Sequence, residues 1–179
     1  TASHVAGALS GSSDALNVNL NGAKAVELVV AAGFESAKIT TAGTSDITKL
    51  TAPGVTTYTV EGTGSVNFND QLVNVTTVSA TSNTGAITTG TVNATTGFVD
   101  KAITSSTDGA SVILGAGNDN IGFTNTSLAT KSSTVKLGAG DDKLVLNAGT
   151  TGSTYVFGEA GDDSVRVDTN PLRVTDLID

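Results

Sequence analysis

Apolar and polar residues alternate along this chain in short runs, with Gly or Asn between runs at roughly the 8–12-residue spacing of sandwiches and solenoids. On this pattern strands are expected over 15–20, 38–41, 56–60, 65–68, 73–79 and 86–92. Alternation is clearest in Tyr58-Thr-Val and Val66-Asn-Phe. Residues 23–34 (Ala-Lys-Ala-Val-Glu-Leu-Val-Val-Ala-Ala-Gly-Phe) have the propensity for a helix, but their Val-Glu-Leu-Val-Val centre suits a buried strand. Every neighbouring run is β-like, so a strand is expected there too.

The last third of the chain repeats itself. Leu114-Gly-Ala-Gly-Asn-Asp119, Leu137-Gly-Ala-Gly-Asp-Asp142 and Phe157-Gly-Glu-Ala-Gly-Asp-Asp163 each follow a β-like run beginning at Ser111, Ser133 or Ser153. Each leads into a second run: Asn120-Ile-Gly-Phe, Lys143-Leu-Val-Leu or Ser164-Val-Arg-Val. Asp119 and Asp142 are 23 residues apart, and Asp142 and Asp163 are 21 apart. A unit of strand, glycine loop and strand recurring at that period indicates a solenoid whose rungs bury too little alone and stack on neighbours. The expected fold is all-β, a parallel β-solenoid (an irregular β-helix or β-roll). It comprises a Thr-rich segment over 1–105 and a segment over 106–179 with Gly-Asp turns. The run Arg173-Val-Thr-Asp-Leu-Ile-Asp179 reads as a strand leading to a fourth loop beyond the fragment, and frayed pairing is expected at 170–179. The start Thr1-Ala-Ser-His lacks both Met and a signal-peptide pattern, as in an interior piece of a longer protein.

Composition sharpens this. There is no Cys, Met or Trp, and aromatic residues make up 4%, so Val, Ala, Leu and Ile must build the core. Charged residues are only 15% and mean hydropathy is +0.11, which argues against disorder. The net charge of −8 and scattered Lys and Arg argue against a nucleic-acid partner. No apolar run approaches the ~20 residues of a membrane-spanning helix. Without cysteine no disulfide can staple the fold, which leaves a metal ion as the natural staple. Catalysis has little foothold: His4 is the only histidine, and neither a zinc pattern nor a serine elbow occurs. Asn74-Val-Thr and Asn93-Ala-Thr match the glycosylation pattern, which is frequent by chance in a Thr-rich chain.

Glycines that permit a tight turn, then paired Asn/Asp oxygens, then a strand suit an oxygen cage for a hard cation, Ca2+. The three phrases resemble the G-G-x-G-x-D-x-U-x nonapeptide repeats of RTX proteins. Gly158-Glu-Ala-Gly161-Asp-Asp163-Ser-Val165-Arg fits with Glu159 in place of one Gly, and the other two copies carry Leu114 and Leu137 at the first Gly. The resemblance implies a calcium-binding turn and a parallel β-roll. It implies Asp119, Asp142 and Asp163 as side-chain ligands, with Gly115, Gly117, Gly138, Gly140, Gly158 and Gly161 giving carbonyls or allowing the turn. Asn118, Asp141 and Asp162 would add oxygens or face water. Family repeats run in tandem, whereas these lie over twenty residues apart, so one loop per rung and about two complete sites are expected from stacking ~4.8 Å apart. Asp142, shared by both sites, should be the most sensitive ligand. Asp70 and Asp108 are weaker candidates, and Asp14 and Asp46 read as turn residues.

The Thr-rich strands and these phrases together look like a fragment of a type I-secreted bacterial surface-layer (S-layer) protein. That resemblance implies a structural, non-enzymatic role at the cell surface, with assembly driven by external calcium. The implied partners are calcium ions, copies of itself in a lattice and, through another domain, cell-surface polysaccharide. The alternative is a calcium-binding C-terminal or stalk domain of an RTX secreted enzyme or adhesin, decided by what lies upstream of Thr1.

Overall fold

The computed structural model describes residues 11, 13–107, 109–126, 132–147, 153–168 and 177–178, and among them the fold is all-β. His4 and Asp108 lie outside the described residues, as do the expected strand positions 173–176 and 179. Two parallel sheets face each other, and the chain alternates between them. The first sheet holds, in spatial order, β1 (Ala15–Asn21), β3 (Ser36–Ala42), β5 (Thr57–Gly62), β7 (Thr77–Asn83), β10 (Ser111–Ile113), β12 (Ser133–Lys136), β14 (Thr154–Phe157) and β16 (Leu177–Ile178). The second holds β2 (Val26–Val29), β4 (Thr44–Thr51), β6 (Ser65–Phe68), β8 (Ile87–Thr89), β11 (Asn120–Asn125), β13 (Lys143–Asn147) and β15 (Ser164–Val167), with β9 (Ile103–Ser105) pairing β11. Each rung is one strand of the first sheet, a corner, and one strand of the second. This is the parallel β-solenoid that the repeat period implies.

Period-2 alternation places the core between the sheets. In the first sheet one inward column runs through Leu16, Ala37, Tyr58, Val78, Val112, Val135 and Val156, each beside the next in register. Facing it are Ile47 beside Phe68, Ile121 beside Leu144, and Phe123 beside Leu146, all buried. Aliphatic residues fill most of these positions, and the aromatic rings of Tyr58, Phe68 and Phe123 are buried among them. Pairing of Thr77 with Ser111 carries the first sheet across residue 105 without a break.

The strands expected at 15–20, 38–41, 56–60, 65–68 and 86–92 all appear, with ends shifted by a few residues, and 23–34 contains the strand Val26–Val29. One expectation needs correction, and two strands, β4 and β9, were not expected. The strand at 73–79 begins only at Thr77, because Asn74 takes a left-handed φ of 57° and Val75 N–H bonds to Thr104 O instead. The eight-residue β4 was not anticipated; its Thr-Ser-Asp-Ile-Thr-Lys-Leu-Thr holds few apolar residues to mark it.

Cross-rung ion pairs decorate the outside: Lys24–Asp46, Lys38–Glu61, Lys49–Glu27 and Lys136–Glu159, at 2.9–3.0 Å. All are solvated and hold the register weakly, at roughly 0–1 kcal/mol each.

Candidate metal corner

The corner between the two sheets carries the Gly-Asp phrases, and its geometry begins with glycine. Gly22, Gly43, Gly64, Gly85, Gly117, Gly140 and Gly161 follow one another down the stack. A Cβ on Gly64 would lie 2.3 Å from Gly43 O, one on Gly85 2.2 Å from Gly64 O, and one on Gly161 1.9 Å from Gly140 O. Backbone packs on backbone at this edge, so only glycine fits most rungs. Among the described residues the column runs through all seven corners that lead from the first sheet to the second, whereas the phrases mark only the last three.

Beside it, the inward position changes character. Ser45, Val66 and Ile87 occupy it in register in the middle rungs. In the next rungs it is taken by Asp119, Asp142 and Asp163, each the residue before a paired strand start. Asp119 and Asp142 are buried, at 2% and 0% exposure, and Asp163 is partly exposed. Each carboxylate reaches back one rung: Asp163 Oδ1 accepts Asp142 N–H (2.9 Å), Asp142 Oδ1 accepts Asp119 N–H (2.7 Å), and Asp119 Oδ1 accepts Ile87 N–H (2.6 Å).

The outer residues form a second ladder of opposite direction. Asn118 Oδ1 accepts Asp141 N–H at 3.1 Å, and Asp141 Oδ1 accepts Asp162 N–H at 3.0 Å. All three are exposed. The inner aspartates thus point into the corner, and Asn118, Asp141 and Asp162 line its rim.

Two oxygens remain over. Asp119 Oδ2 and Asp142 Oδ2 are buried and have no hydrogen-bond partner. Burial pushes the Asp119 carboxyl up to about 7, helped by the charge of Asp142 and opposed by the N–H groups of Ile87 and, more weakly, Gly115. Burial likewise pushes Asp142 up to about 6, with repulsion from Asp163 and Asp141 and opposition from the Asp119 N–H. A buried ionised carboxylate without a compensating charge is costly, so each site calls for a proton or a cation.

A hard cation fits this donor set in kind: two stacked carboxylates, each with one oxygen that has no hydrogen-bond partner. Among the described residues no three acidic, His or Cys side chains converge. Further donors to an ion would therefore be backbone carbonyls and water. Gly115 O and Gly138 O already accept the N–H groups of Ala139 and Ala160, leaving one lone pair each. Their second contribution is close stacking of the two backbones, since a Cβ on Gly138 would meet Gly115 O at 2.1 Å. Glu159 takes the place of Gly115 and Gly138, with φ 71° and Ala160 paired to Ala139, and Gly158 sits level with Leu137.

The upstream candidates have other duties. Asp70 accepts the N–H groups of Leu50 and Gln71, Asp46 pairs with Lys24, and Asp14 takes part in backbone bonds to Glu35 and Ser36. The glycine column above Gly117 escaped sequence reasoning, although Gly22, Gly43, Gly64 and Gly85 lie at a uniform interval of 21.

No family model matches the sequence, and no curated protein or solved structure matches it. The fold itself defines the class: an all-β parallel solenoid with one glycine corner per rung.

Proposed function

We propose that this chain is a structural, calcium-stabilised segment of a secreted bacterial surface-layer protein, without enzymatic activity. The observation that carries the reading is the pair of buried, unpartnered oxygens, Asp119 Oδ2 and Asp142 Oδ2, one rung apart in the glycine corner. Asp119 and Asp142 would hold the ion, with Asp163 completing the next position down. Calcium there neutralises buried negative charge and ties one rung to the next. The RTX-like phrases and the net charge of −8 support the same reading.

In a low-calcium cytosol the corner stays charged and weakly held, which suits export. Outside, with calcium at millimolar levels and a site Kd of about 10⁻⁴ M, each site adds about 1.4 kcal/mol to folding. Two sites would raise the melting temperature by about 5–10 °C in a domain of this size. Copies of the folded solenoid would then associate in the surface lattice.

The test is a calcium titration followed by melting and light scattering together. A saturable rise in melting temperature, reversed by chelator, is expected, with scattering growth marking assembly. A melting curve unchanged between excess chelator and excess calcium sinks the calcium reading. Folding without self-association favours a stalk or enzyme-tail domain over a lattice subunit.

A further inference from the structure

One rung of the solenoid is interrupted within a strand. Thr88 pairs with Asn120 and Ile103 with Phe123, so 15 residues separate two positions whose partners are 3 apart. About a dozen residues are looped out of the second sheet between β8 and β9, and the strand resumes in register behind them. Gly90, with φ 78°, makes the exit: a Cβ there would meet Asp100 Oδ1 at 2.3 Å. The excursion is a small hairpin in which Val92 pairs antiparallel with Val99, and Asn93 Oδ1 caps the N–H groups of Thr95 and Thr96.

The hairpin folds over the outer face of the second sheet, across the rungs that carry the Gly-Asp corners. Asn120 Nδ2 of β11 donates to Gly97 O at 2.8 Å. Lys143 Nζ of β13 lies 6.0 Å from the centre of the Phe98 ring, and Arg166 Cζ of β15 lies 5.0 Å from it. Three consecutive rungs are thus touched by two adjacent residues. The sheet is shaped to receive them. Gly122 leaves room for Lys101 O, which a Cβ would meet at 2.4 Å. Val145 faces outward between the core residues Leu144 and Leu146 yet is only 2% exposed. Val99, Ala102 and Val145 are buried but stand apart from the contiguous core, as expected of a separate contact on the outside.

We propose that residues 90–101 form a clasp that holds the three Gly-Asp rungs in register from outside, with Phe98 as its pin. The clasp needs no metal, so it assembles the Asp119–Asp142–Asp163 column before an ion arrives. This last step rests on the calcium reading above; the register-holding role does not. The reason for such a device lies in the corner itself. Stacked aspartates repel once ionised in the absence of a cation, and the rungs bearing them need an attraction placed elsewhere. A ring shared by cations from two rungs supplies it.

The test is hydrogen exchange on the chelated chain, comparing wild type, Phe98→Ala and Phe98→Tyr. Phe98→Ala is expected to speed exchange in β13 and β15 about tenfold while leaving β1 to β6 unchanged. Phe98→Tyr keeps the ring and should behave as wild type. Arg166→Gln is the second variant, expected to loosen β15 and not β11. Unchanged exchange in β13 and β15 of Phe98→Ala overturns the clasp, as does an equal acceleration in every strand. A calcium titration forms the second arm, where Phe98→Ala should raise the half-saturating concentration severalfold. No uptake by wild type defeats the pre-assembly step together with the calcium reading, and the chelated exchange result stands independently.

Discussion

Asp119 and Asp142 are linked through the backbone of one and the side chain of the other: the Asp119 N–H donates to Asp142 Oδ1 at 2.7 Å. The same bond repeats from Asp142 to Asp163, so each inner carboxylate has one oxygen committed to the rung before it. The second oxygens of Asp119 and Asp142 are left buried and unpartnered. One atom of each carboxylate serves the fold and the other is available for a ligand. That division lets substitutions separate the two roles.

Asp142→Asn retains an acceptor oxygen, now an amide carbonyl, to cap the Asp119 N–H and removes the buried charge. In chelator above pH 7 this variant should be as stable as wild type or more so. It should also lose most of the calcium-induced rise in melting temperature. Asp142→Ala strands the Asp119 N–H and should cost about 1–3 kcal/mol even without calcium. Full retention of the calcium-induced rise in Asp142→Asn would exclude this carboxylate as a ligand.

The pH dependence of the metal-free chain should run against the usual direction for aspartates. Folded Asp119 and Asp142 hold their protons up to about 7 and about 6, above the ordinary value of 3.8. Between those limits the folded state binds more protons than the unfolded state, so stability falls as pH rises. Below 3.8 both states are protonated and the stability is fully present; above about 7 the loss is complete. Melting in chelator should therefore occur at higher temperature at pH 5 than at pH 8. Saturating calcium, which needs ionised ligands, should reverse the order. The same slope with and without calcium would show that no ion reaches these carboxylates.

Much of this was legible in the chain because each phrase combines glycine, aspartate and a following apolar run. Asp119, Asp142 and Asp163 do fall in one column, and Asn118, Asp141 and Asp162 in another beside it. Inward from outward was not legible: only the register with Val66 and Ile87 reveals that the Asp column replaces core positions. Gly22, Gly43, Gly64 and Gly85 were hidden because single glycines among Thr and Ser look like ordinary turns. The hairpin at 90–101 concealed their continuity with Gly117 by lengthening one interval. Its role as a sheet excursion depends on pairing between Thr88, Ile103 and β11, which leaves no local trace.

The glycine column can be tested where sterics and backbone conformation separate. Gly85 does not have a positive φ, but a Cβ there would lie 2.2 Å from Gly64 O and 2.3 Å from Gly64 C. Nothing lies within 4 Å of a Cβ on Gly22, whose φ is +61°. Gly22→Ala should therefore cost only about 1 kcal/mol from backbone strain. Gly85→Ala must push two rungs apart and should cost about 3 kcal/mol or more. Equal losses in denaturant melts would remove the argument that close stacking selects glycine.

Thr41 and Asn83 give a final test, because they meet across an intervening rung. Thr41 pairs with Gly62 and Gly62 with Asn83, and Thr41 Oγ1 lies 3.0 Å from Asn83 Oδ1 over the missing side chain. Asn83 is 1% exposed and also donates its Nδ2 to Gly85 O, so both halves of its amide are used. Asn83→Ala should cost about 1–3 kcal/mol, moderated by the Thr41 hydroxyl's alternative acceptors, Gly64 O at 2.8 Å and Glu61 O at 3.0 Å. Asn83→Asp should cost more than Asn83→Ala above neutral pH, because a carboxylate oxygen then faces the Gly85 carbonyl without a proton between them. Acidification to pH 4–5 should recover part of that loss by protonating the new group. An Asn83→Asp variant as stable as wild type at pH 8 would mean that the amide nitrogen contributes nothing at this position.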